Sequence, residues 1–570
     1  MLRGYRTVCL SFLLVIACSS PVAFGAPSLD ARIGFASVIV PRLYAPTRIT
    51  VSGLEEAISG TLRVVQYAGA LSEEPAKIAI DLSTGSVENA TYEASIPIYD
   101  PLNPVDIQLL QADGTPLVVQ QLNFRLFMRS APFPLVCETS VDLGGSEVRV
   151  GTEELPWEWW GYEAIDSLWL GGAQFDRSAA DAITRWILAG GSLVLFSGPD
   201  FYKYDPNFLE GVFPVAGATL ETARDGVSYV TGTMPERAEL AAWREDGTPL
   251  LYTLSVGAGA VAFVSMRAED LGTDEVRTIV SMVRSAKLLS MQGASGTLHG
   301  GIRVPRPNYL VAPLIVVAMM TSLAISWRLA TRNIPTGLPH RRAPMWIVVG
   351  VATIATVFAG FYTNRAKQLV ELYQCDTALD IQTSVGCRIV SHTLFAPGFP
   401  LDVGVLRSRE SVPVYPLIRT ARKAVFDSQA TPEVLEVPLA AGETRNLRAY
   451  GDSRGAVELV TRTDEATIVN RLEVSLSVAY IIRDGELFRV TEIAPGTSTV
   501  PLKDGLRVWS LRGLDRFRYA DALKVVEAAF PLDEGAWLIA IYDEVEIRSG
   551  VETEEKVRDV RIHIVEGEMP

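Results

Sequence analysis

The hydrophobic pattern along this chain changes character several times between its two ends. Over residues 27–128, short runs rich in Val, Ile, Thr and Tyr alternate with clusters of Pro, Gly and Ser. Runs of this kind predict β-strands, and their regular spacing is typical of a β-sandwich. Ala112-Asp113-Gly114 lies between two such runs and predicts a hairpin turn. We therefore expect a β-sandwich domain over residues 27–128.

Residues 129–300 change to alternating strand and helix patterns. Short apolar runs at 135–137 and 192–196 predict buried strands. Between them, residues 176–189 place their apolar side chains on one helical face, with Asp176 as the N-cap and Gly190-Gly191 as the stop. The order of strand, helix and strand predicts an open α/β domain over 129–300.

Two uncharged apolar segments follow, at residues 309–327 and 345–362. Each approaches the ~20 residues that a helix needs to cross a bilayer, and aromatic residues stand at the ends of both. The linker 328–344 carries arginines and no acidic residue, and short basic loops stay in the cytoplasm. The pattern predicts a hairpin of two transmembrane helices in the cytoplasmic (inner) membrane, joined by 328–344 as a cytoplasmic loop.

Residues 1–26 have the pattern of a signal peptide. Arg3 and Arg6 precede an apolar core, and small residues at 23 and 25 favour cleavage after Gly25. Residues 15–18 also resemble a lipobox, so a second hypothesis makes Cys18 a lipidated N-terminus. Either route predicts that both large parts of the protein, before and after the helical hairpin, are extracytoplasmic and face the periplasm.

Residues 363–570 again have a β-rich pattern. Asp484-Gly485 between two apolar runs predicts a hairpin, residues 519–530 predict one amphipathic helix, and 544–570 predict an exposed strand pair or tail. Cys375 and Cys387 lie twelve residues apart in this region. They are a candidate disulfide if the region faces an oxidising compartment.

The central region resembles a known family in a set of residues that surround its predicted strands and helix. The segments that carry the resemblance are Leu155-Pro156, Trp160-Gly161-Tyr162, Asp166, Leu168-Trp169-Leu170, Trp186-Ile187 and Gly190-Gly191-Ser192-Leu193-Val194. They resemble the class I glutamine-amidotransferase-like domain of bacterial membrane-anchored proteins. The resemblance implies an α/β fold and, for active members of the family, a Cys nucleophile at a strand-to-helix elbow with a His and a Glu.

The nucleophile and base implied by that family are not matched here. Cys137 belongs to the first predicted strand rather than to an elbow, and no histidine lies between residues 132 and 290. Ser197 follows a strand, but its surroundings lack the flanking glycine of a nucleophile elbow, and Pro199 opposes a following helix. We expect a catalytically degenerate domain, a pseudoenzyme. The cysteine and histidine spacing predicts no metal site, and no motif predicts a cofactor.

Three functions remain open at this stage. We favour a non-catalytic membrane protein that acts as a scaffold or assembly component for protein partners. A second hypothesis is a glycan- or peptide-binding module that uses Trp157, Trp159, Trp160 and Tyr162. A third is a hydrolase that uses carboxylates from the set Glu138, Glu153, Glu154, Glu163, Asp166 and Asp200. The net charge of −15 argues against nucleic acid as a partner.

Overall fold

The computed structural model describes most of the chain, with gaps. The described residues are 26–68, 76–125, 127–172, 174, 176–204, 216–233, 238–286, 321, 324, 328, 372–382, 386–395, 401–406, 414–416, 423–427, 435–439, 444–453, 455–462, 464–483, 485–490, 492–503, 505–507, 535–549 and 554–567. We refer to residues 26–128 as the N-terminal unit, to 129–286 as the central unit and to 372–567 as the C-terminal unit.

The N-terminal unit consists of two facing β-sheets. Its strands are β1 (Ser28–Ile33), β2 (Tyr44–Ser52), β3 (Ile58–Ala68), β4 (Ala76–Val87), β5 (Thr91–Pro97), β6 (Val105–Gln111) and β7 (Pro116–Leu122). One sheet has the order β1-β2-β5, and the other contains β4-β3-β6-β7. Ile49 of the first sheet and Leu62 of the second lie in one buried core, so the β-sandwich expected here fits the structure.

The central unit is built on one mixed sheet. Its elements are β8 (Phe133–Cys137), β9 (Val148–Val150), β10 (Ile165–Leu170), α1 (Arg177–Leu188), β11 (Ser192–Phe196), β12 (Ala216–Thr222), β13 (Ser228–Thr233), β14 (Ala238–Trp243), β15 (Pro249–Val256), β16 (Gly259–Val264) and α2 (Thr273–Ala286). The order is β14-β15-β16-β11-β10-β8-β9. The five strands from β16 to β9 run parallel, and β15 and β14 are antiparallel to their neighbours.

The two helices of this unit cover opposite faces of its sheet. Ile183 and Trp186 of α1 pack in the core that contains Leu193, whereas Ile279 of α2 packs in the core that contains Val194. Successive strand residues point to opposite faces, which explains why neighbouring positions belong to different cores. A Cβ at Gly191 would lie 2.3 Å from the Trp186 ring, so only glycine permits the sharp return from α1 to β11.

The C-terminal unit is formed by strands. They are β17 (Leu372–Gln382), β18 (Gly386–Phe395), β19 (Leu401–Leu406), β20 (Val414–Pro416), β21 (Lys423–Asp427), β22 (Leu435–Leu439), β23 (Thr444–Asp452), β24 (Val457–Thr461), β25 (Glu465–Asn470), β26 (Val478–Arg483), β27 (Glu486–Val490), β28 (Gly496–Pro501), β29 (Leu506–Arg507), β30 (Ala536–Ser549) and β31 (Glu554–Glu566). Nine of them form a sheet of order β20-β23-β18-β17-β31-β30-β26-β27-β29. A smaller sheet, β24-β25-β28, shares a core with one of its faces.

Two long-range pairings connect distant parts of the chain. Strand β21 pairs in parallel with β4 and so extends the second sheet of the N-terminal unit. Strand β31 lies between β17 and β30, in the middle of the nine-stranded sheet. The strand pair expected over 544–570 is present, since the end of β30 pairs with β31. Its expected exposure was wrong for β31, in which Ile562 and Ile564 are buried. Its charged residues suggested solvent, but pairing on both sides places the strand inside a sheet.

The predicted multidomain α/β fold class was wrong. Strands make up more than half of the structure, and residues 129–300 do not form an open α/β amidotransferase-like domain. Within the described residues, α1 is the one helix that connects parallel neighbours, while β8, β9 and β10 are joined through loops and short 3-10 turns. Hydrophobic periodicity located helix α1 correctly. It could not show that the connections between β8, β9 and β10 contain no α-helix.

The predictions of a membrane protein with two transmembrane helices, and of an inner-membrane location, are contradicted. In the part of the chain that the structure describes, we find no helix with both the length and the apolar character needed to cross a membrane. Apart from Thr321, Ala324 and Arg328, the segments 309–327, 328–344 and 345–362 lie outside the described residues, as do residues 1–25 of the predicted signal peptide. An uncharged run gives the hydropathy that spanning requires, but it does not establish a helix of sufficient length.

Candidate functional site

The structure divides the predicted aromatic cluster into core residues and one exposed ring. Trp159 and Tyr162 belong to a 3-10 turn, Trp159–Tyr162, and both are buried. Trp160 is half-buried and meets Trp159 edge to face, with ring centroids 5.9 Å apart. Trp157 alone stands outward, with 53% of its surface exposed. The four residues therefore do not form one stacking platform.

Trp159 and Tyr162 hold the units together. The indole nitrogen of Trp159 donates a hydrogen bond to the Gly451 carbonyl oxygen at 3.2 Å, which joins the central and C-terminal units. The Tyr162 ring lies 6.2 Å from that of Phe35 in the N-terminal unit. Its hydroxyl donates to the Pro156 carbonyl oxygen at 3.1 Å, and burial raises its pKa well above the usual value. These rings are structural.

Glu163 lies at the point where all three units meet. One carboxylate oxygen accepts the Tyr44 backbone N–H at 3.1 Å, and the other accepts the Tyr450 hydroxyl at 2.7 Å. The side chain is buried. A buried carboxylate is costly unless hydrogen bonds replace its water. Glu163 thus ties one residue from each outer unit to the central unit.

Glu158 makes a second link across the same boundary. Its Oε2 accepts the backbone N–H of Ser95, on strand β5, at 2.5 Å. Burial is the main cause that raises the pKa of this carboxyl to about 7, and the charge of nearby Asp452 acts in the same direction. The hydrogen bond from Ser95 opposes the increase. Glu158 therefore changes its charge near neutral pH at a domain boundary.

A groove of about 420 Å³ opens where Glu158 meets the N-terminal unit. We call it the seam groove. Its wall combines apolar and charged side chains, among them Pro156, Trp157, Arg32, Arg48, Glu93 and Glu158. Its volume falls within the range of about 300–1,000 Å³ that is usual for small-molecule sites. Among the candidate binding and catalytic residues named from the sequence, Trp157 and Glu154 line it.

Arg48 is held in place beside this groove. Its Nε donates to Glu93 Oε1 at 2.6 Å, and its Nη2 donates to the Glu153 backbone oxygen at 2.5 Å. The first bond joins neighbouring strands, and the second joins the N-terminal unit to the central unit. Arg32, Arg48 and Glu93 could not be predicted from the sequence as groove residues. Isolated charges on predicted strands do not indicate which of them lie side by side in the fold.

A tight turn at Ala36 and Ser37 forms another part of the groove wall. The backbone φ angles of these residues are 47° and 66°, in the left-handed region, and Phe35 and Val38 exchange backbone hydrogen bonds across the turn. Turns with two positive φ angles normally use Asn and Gly, so the turn is strained. The local sequence did not predict this turn, because it contains neither Asn nor Gly at the two positions with positive φ.

Neither candidate nucleophile is placed for chemistry. Cys137 is fully buried, and burial raises the pKa of its thiol to about 12, which keeps it protonated. Ser197 is also buried, and its hydroxyl donates to the Val264 carbonyl oxygen at 2.8 Å. In the described part of the central unit neither has a histidine to take its proton.

The carboxylates considered for hydrolysis are dispersed. Asp200 forms ion pairs with Lys203 at 2.7 Å and Arg267 at 2.8 Å, and these bonds hold the pKa of its carboxyl below the usual value. Glu163 is engaged at the junction of the units, and Asp166 Oδ1 accepts the Ser167 hydroxyl at 2.9 Å. Glu138 follows β8 with a φ of 52°, and Glu153 is exposed. The structure therefore does not gather this set into one site.

The C-terminal unit contains a buried row of charged residues that the sequence did not indicate. Asp380 on β17 lies directly between Arg388 on β18 and His563 on β31. Arg388 grips both carboxylate oxygens, with Nη2 2.9 Å from Oδ2, and His563 Nδ1 lies 3.1 Å from the same Oδ2. All three residues are buried. Within the row the Arg388 guanidinium compensates the charge of the Asp380 carboxylate, as buried ions require.

The remaining predicted cysteine sites are not brought together. In the β17–β18 hairpin, Cys387 pairs with Ile381 and Cys375 pairs with Thr393. Six residues of strand, roughly 20 Å, therefore separate the two cysteines, whereas a disulfide needs Cα atoms within ~7 Å. Cys387 is free and buried, and Cys18 lies outside the described residues. Over the described ranges, no group of three or more His, Cys, Asp or Glu side chains has the arrangement of a metal site.

Comparison with known proteins identifies no family. No family model matches the chain, and no curated protein matches it. Among solved structures, an exo-β-1,4-mannosidase, Op5Man5, from Opitutaceae bacterium strain TAV5 is 13% identical over 28% of this chain and 35% of its own, with a TM-score of 0.18. An M1 zinc metallopeptidase from Deinococcus radiodurans is 15% identical over 34% and 47%, with a TM-score of 0.12. This chain thus matches less than half the length of either protein, and similarities this low carry no argument about fold or function. The resemblance to amidotransferase-like domains stays a prediction.

Proposed function

We propose that this protein is a non-catalytic scaffold that presents its three units to protein partners in one fixed arrangement. The observation that carries the proposal is the junction at Glu163, whose single carboxylate binds Tyr44 of one outer unit and Tyr450 of the other. Units that were free to move would gain nothing from a shared buried carboxylate, because its hydrogen bonds form only when all three are in register.

Further contacts at the same junction support a fixed arrangement. Trp159 packs edge to face against Tyr450, with ring centroids 5.2 Å apart, and Tyr44 meets the same ring at 5.3 Å. Arg185 on α1 pairs with Asp452 at 3.2 Å. Aromatic packing of this kind adds about 0.5–1.5 kcal/mol per pair beyond simple burial. A rigid frame is useful to a protein that positions partners relative to each other.

The chemistry of the chain favours proteins as those partners. A net charge of −15 repels phosphate backbones. Cys137 and Ser197 are enclosed within the central sheet, which disfavours nucleophilic catalysis at either residue. The amidotransferase-like resemblance implies the same, since the nucleophile and base of that family are unmatched in this chain.

Quantitative affinity purification of the tagged full-length chain tests this function. We expect one defined protein to co-purify at constant stoichiometry with the wild type and with the control variant Tyr202→Phe, whose ring is 69% exposed. Tyr450→Phe removes a junction hydrogen bond and should reduce the yield of that partner severalfold. Repeated recovery of the chain alone, or equal partner yield from both variants, would contradict the proposal.

A further inference from the structure

We propose that the seam groove binds a neutral saccharide, with one sugar ring stacked on the indole of Trp157. The site lies between the N-terminal and central units, and the inference stands independently of the scaffold function. It rests on the exposure of one aromatic ring, on the signs of the surrounding charges and on the rigidity of the groove wall.

Trp157 is the aromatic residue that this groove leaves available. It is 53% exposed, whereas its neighbours Trp159 and Tyr162 are buried. An indole presents a broad apolar face whose burial releases water, and it loses little side-chain freedom on binding. The C–H face of a sugar ring is flat and weakly apolar, so it fits such a surface, while its hydroxyls remain free for polar groups.

The polar groups around Trp157 carry both signs of charge. Arg32 and Arg48 supply N–H donors, while Glu93, Glu154 and Glu158 supply acceptor oxygens. The three carboxyl groups in this groove repel phosphates and other anions, and the two guanidinium groups repel basic peptides. A polyhydroxyl ligand without charge uses donors and acceptors together, and this mixture therefore favours a neutral saccharide over either ion.

The groove is also largely formed in advance. Arg48 is fixed by its bonds to Glu93 and to the Glu153 backbone, and Glu158 is fixed by Ser95. The strained turn at Ala36 and Ser37 closes part of the wall. Side chains already ordered in the free protein reduce the entropy cost of binding. The volume of about 420 Å³ suits a mono- or disaccharide unit of a longer chain.

A binding experiment on the full-length chain tests the site. The probes are neutral trisaccharides of glucose (β-1,4 and α-1,4), xylose, mannose and N-acetylglucosamine, titrated by calorimetry. We expect at least one to bind, and Trp157→Ala to weaken it by about tenfold or more, because the stacking surface is lost. Trp157→Phe keeps a ring and should recover most of the affinity.

Trp243 offers a matched control, since it is 59% exposed at the end of strand β14 and does not line the groove. Trp243→Ala should bind the same trisaccharide as the wild type does. The proposal fails if none of the five probes binds at millimolar concentration, or if Trp157→Ala and Trp243→Ala bind equally. It also fails if an oligolysine peptide or an oligophosphate competes for the groove more tightly than every neutral sugar. None of these outcomes depends on whether a protein partner co-purifies.

Discussion

Tyr450 donates its hydroxyl to Glu163 at 2.7 Å, although 287 residues of chain separate them. The tyrosine lies on strand β23 of the C-terminal unit, and the glutamate follows a turn in the central unit. Both are buried. This bond joins two units that are built on separate sheets. Removing it tests directly how much the contact between the units stabilises the protein.

Removing that hydroxyl should destabilise the folded protein. In Tyr450→Phe the ring still packs against Trp159 and Tyr44, but Glu163 Oε1 loses the hydroxyl that donates to it. A buried charged group left short of a partner costs about 1.5–3 kcal/mol. We expect the free energy of unfolding in urea to fall by that amount, and Tyr202→Phe, on the exposed surface, to leave it unchanged. An equal effect of the two substitutions would show that the junction bond is not formed in solution.

The buried charge row of the C-terminal unit predicts a larger loss. Asp380→Asn leaves the Arg388 guanidinium in the interior without its carboxylate, and breaking a buried ion pair costs about 3–5 kcal/mol. The control is Asp274→Asn, because Asp274 pairs with Arg277 at 3.0 Å while both side chains are exposed. Exposed pairs contribute less than about 1 kcal/mol. If the two variants unfolded at the same urea concentration, the result would contradict the burial of the row.

Glu158 predicts how stability depends on pH. Because its folded pKa is raised to about 7, the folded state resists ionisation while the unfolded state ionises near 4.5. The folded protein therefore loses stability as pH rises from about 4.5 to 7, by about 3 kcal/mol, and loses no more from this group above that range.

Glu158→Gln should remove this dependence. The free energy of unfolding is measured for the wild type and the variant between pH 4.5 and 8. The difference between the two proteins should change with pH up to about pH 7 and stay constant above it. Glu153→Gln changes an exposed carboxylate five residues earlier and should retain the wild-type profile. A parallel pH profile for Glu158→Gln and the wild type would mean that the carboxyl is solvated.

The turn at the seam groove predicts a gain in stability. Replacing Ala36 and Ser37 by Asn and Gly supplies residues that adopt positive φ angles at low cost. The free energy of unfolding of the double variant should therefore rise by about 1–2 kcal/mol, and thermal unfolding should occur at a higher temperature. Ala94→Gly, on extended backbone of the neighbouring strand β5, should instead destabilise by about 0.5–1 kcal/mol. A destabilised Asn-Gly variant would show that the turn does not have this conformation.

Local features of the fold could be predicted from the sequence because their causes are local. Asp176 accepts the Ser178 N–H as the N-cap of α1, and the helix ends before Gly190 as expected. The hairpin at Asp113-Gly114 joins β6 and β7. The position of strand β31 in its sheet could not be predicted in the same way. Its neighbours are β17 and β30, and the hydrophobic pattern of β31 does not show with which strands it pairs.

The candidate site was predicted only in part. A run of aromatic residues marked the segment that contains Trp157, and the glycan hypothesis named it. The same run could not show that Trp159 and Tyr162 would turn inward, because aromatic residues suit a core and a binding surface equally. Arg32, Arg48 and Glu93 of the groove wall come from strands β1, β2 and β5, which local sequence cannot bring to Trp157.

The amino-acid sequence by itself determined the period of its strands, the caps and apolar faces of α1, the turns that need glycine and the absence of a histidine beside Cys137. These properties depend on neighbours within a few residues, whose energies are set by backbone geometry. The tertiary structure alone decided that Glu163 meets Tyr44 and Tyr450, that Asp380 lies between Arg388 and His563, and that Trp157 lines the same groove as Arg48 and Glu93. Such contacts arise from the packing of sheets distant in the chain, because burial and charge compensation are satisfied by the whole molecule and leave no mark on a local pattern.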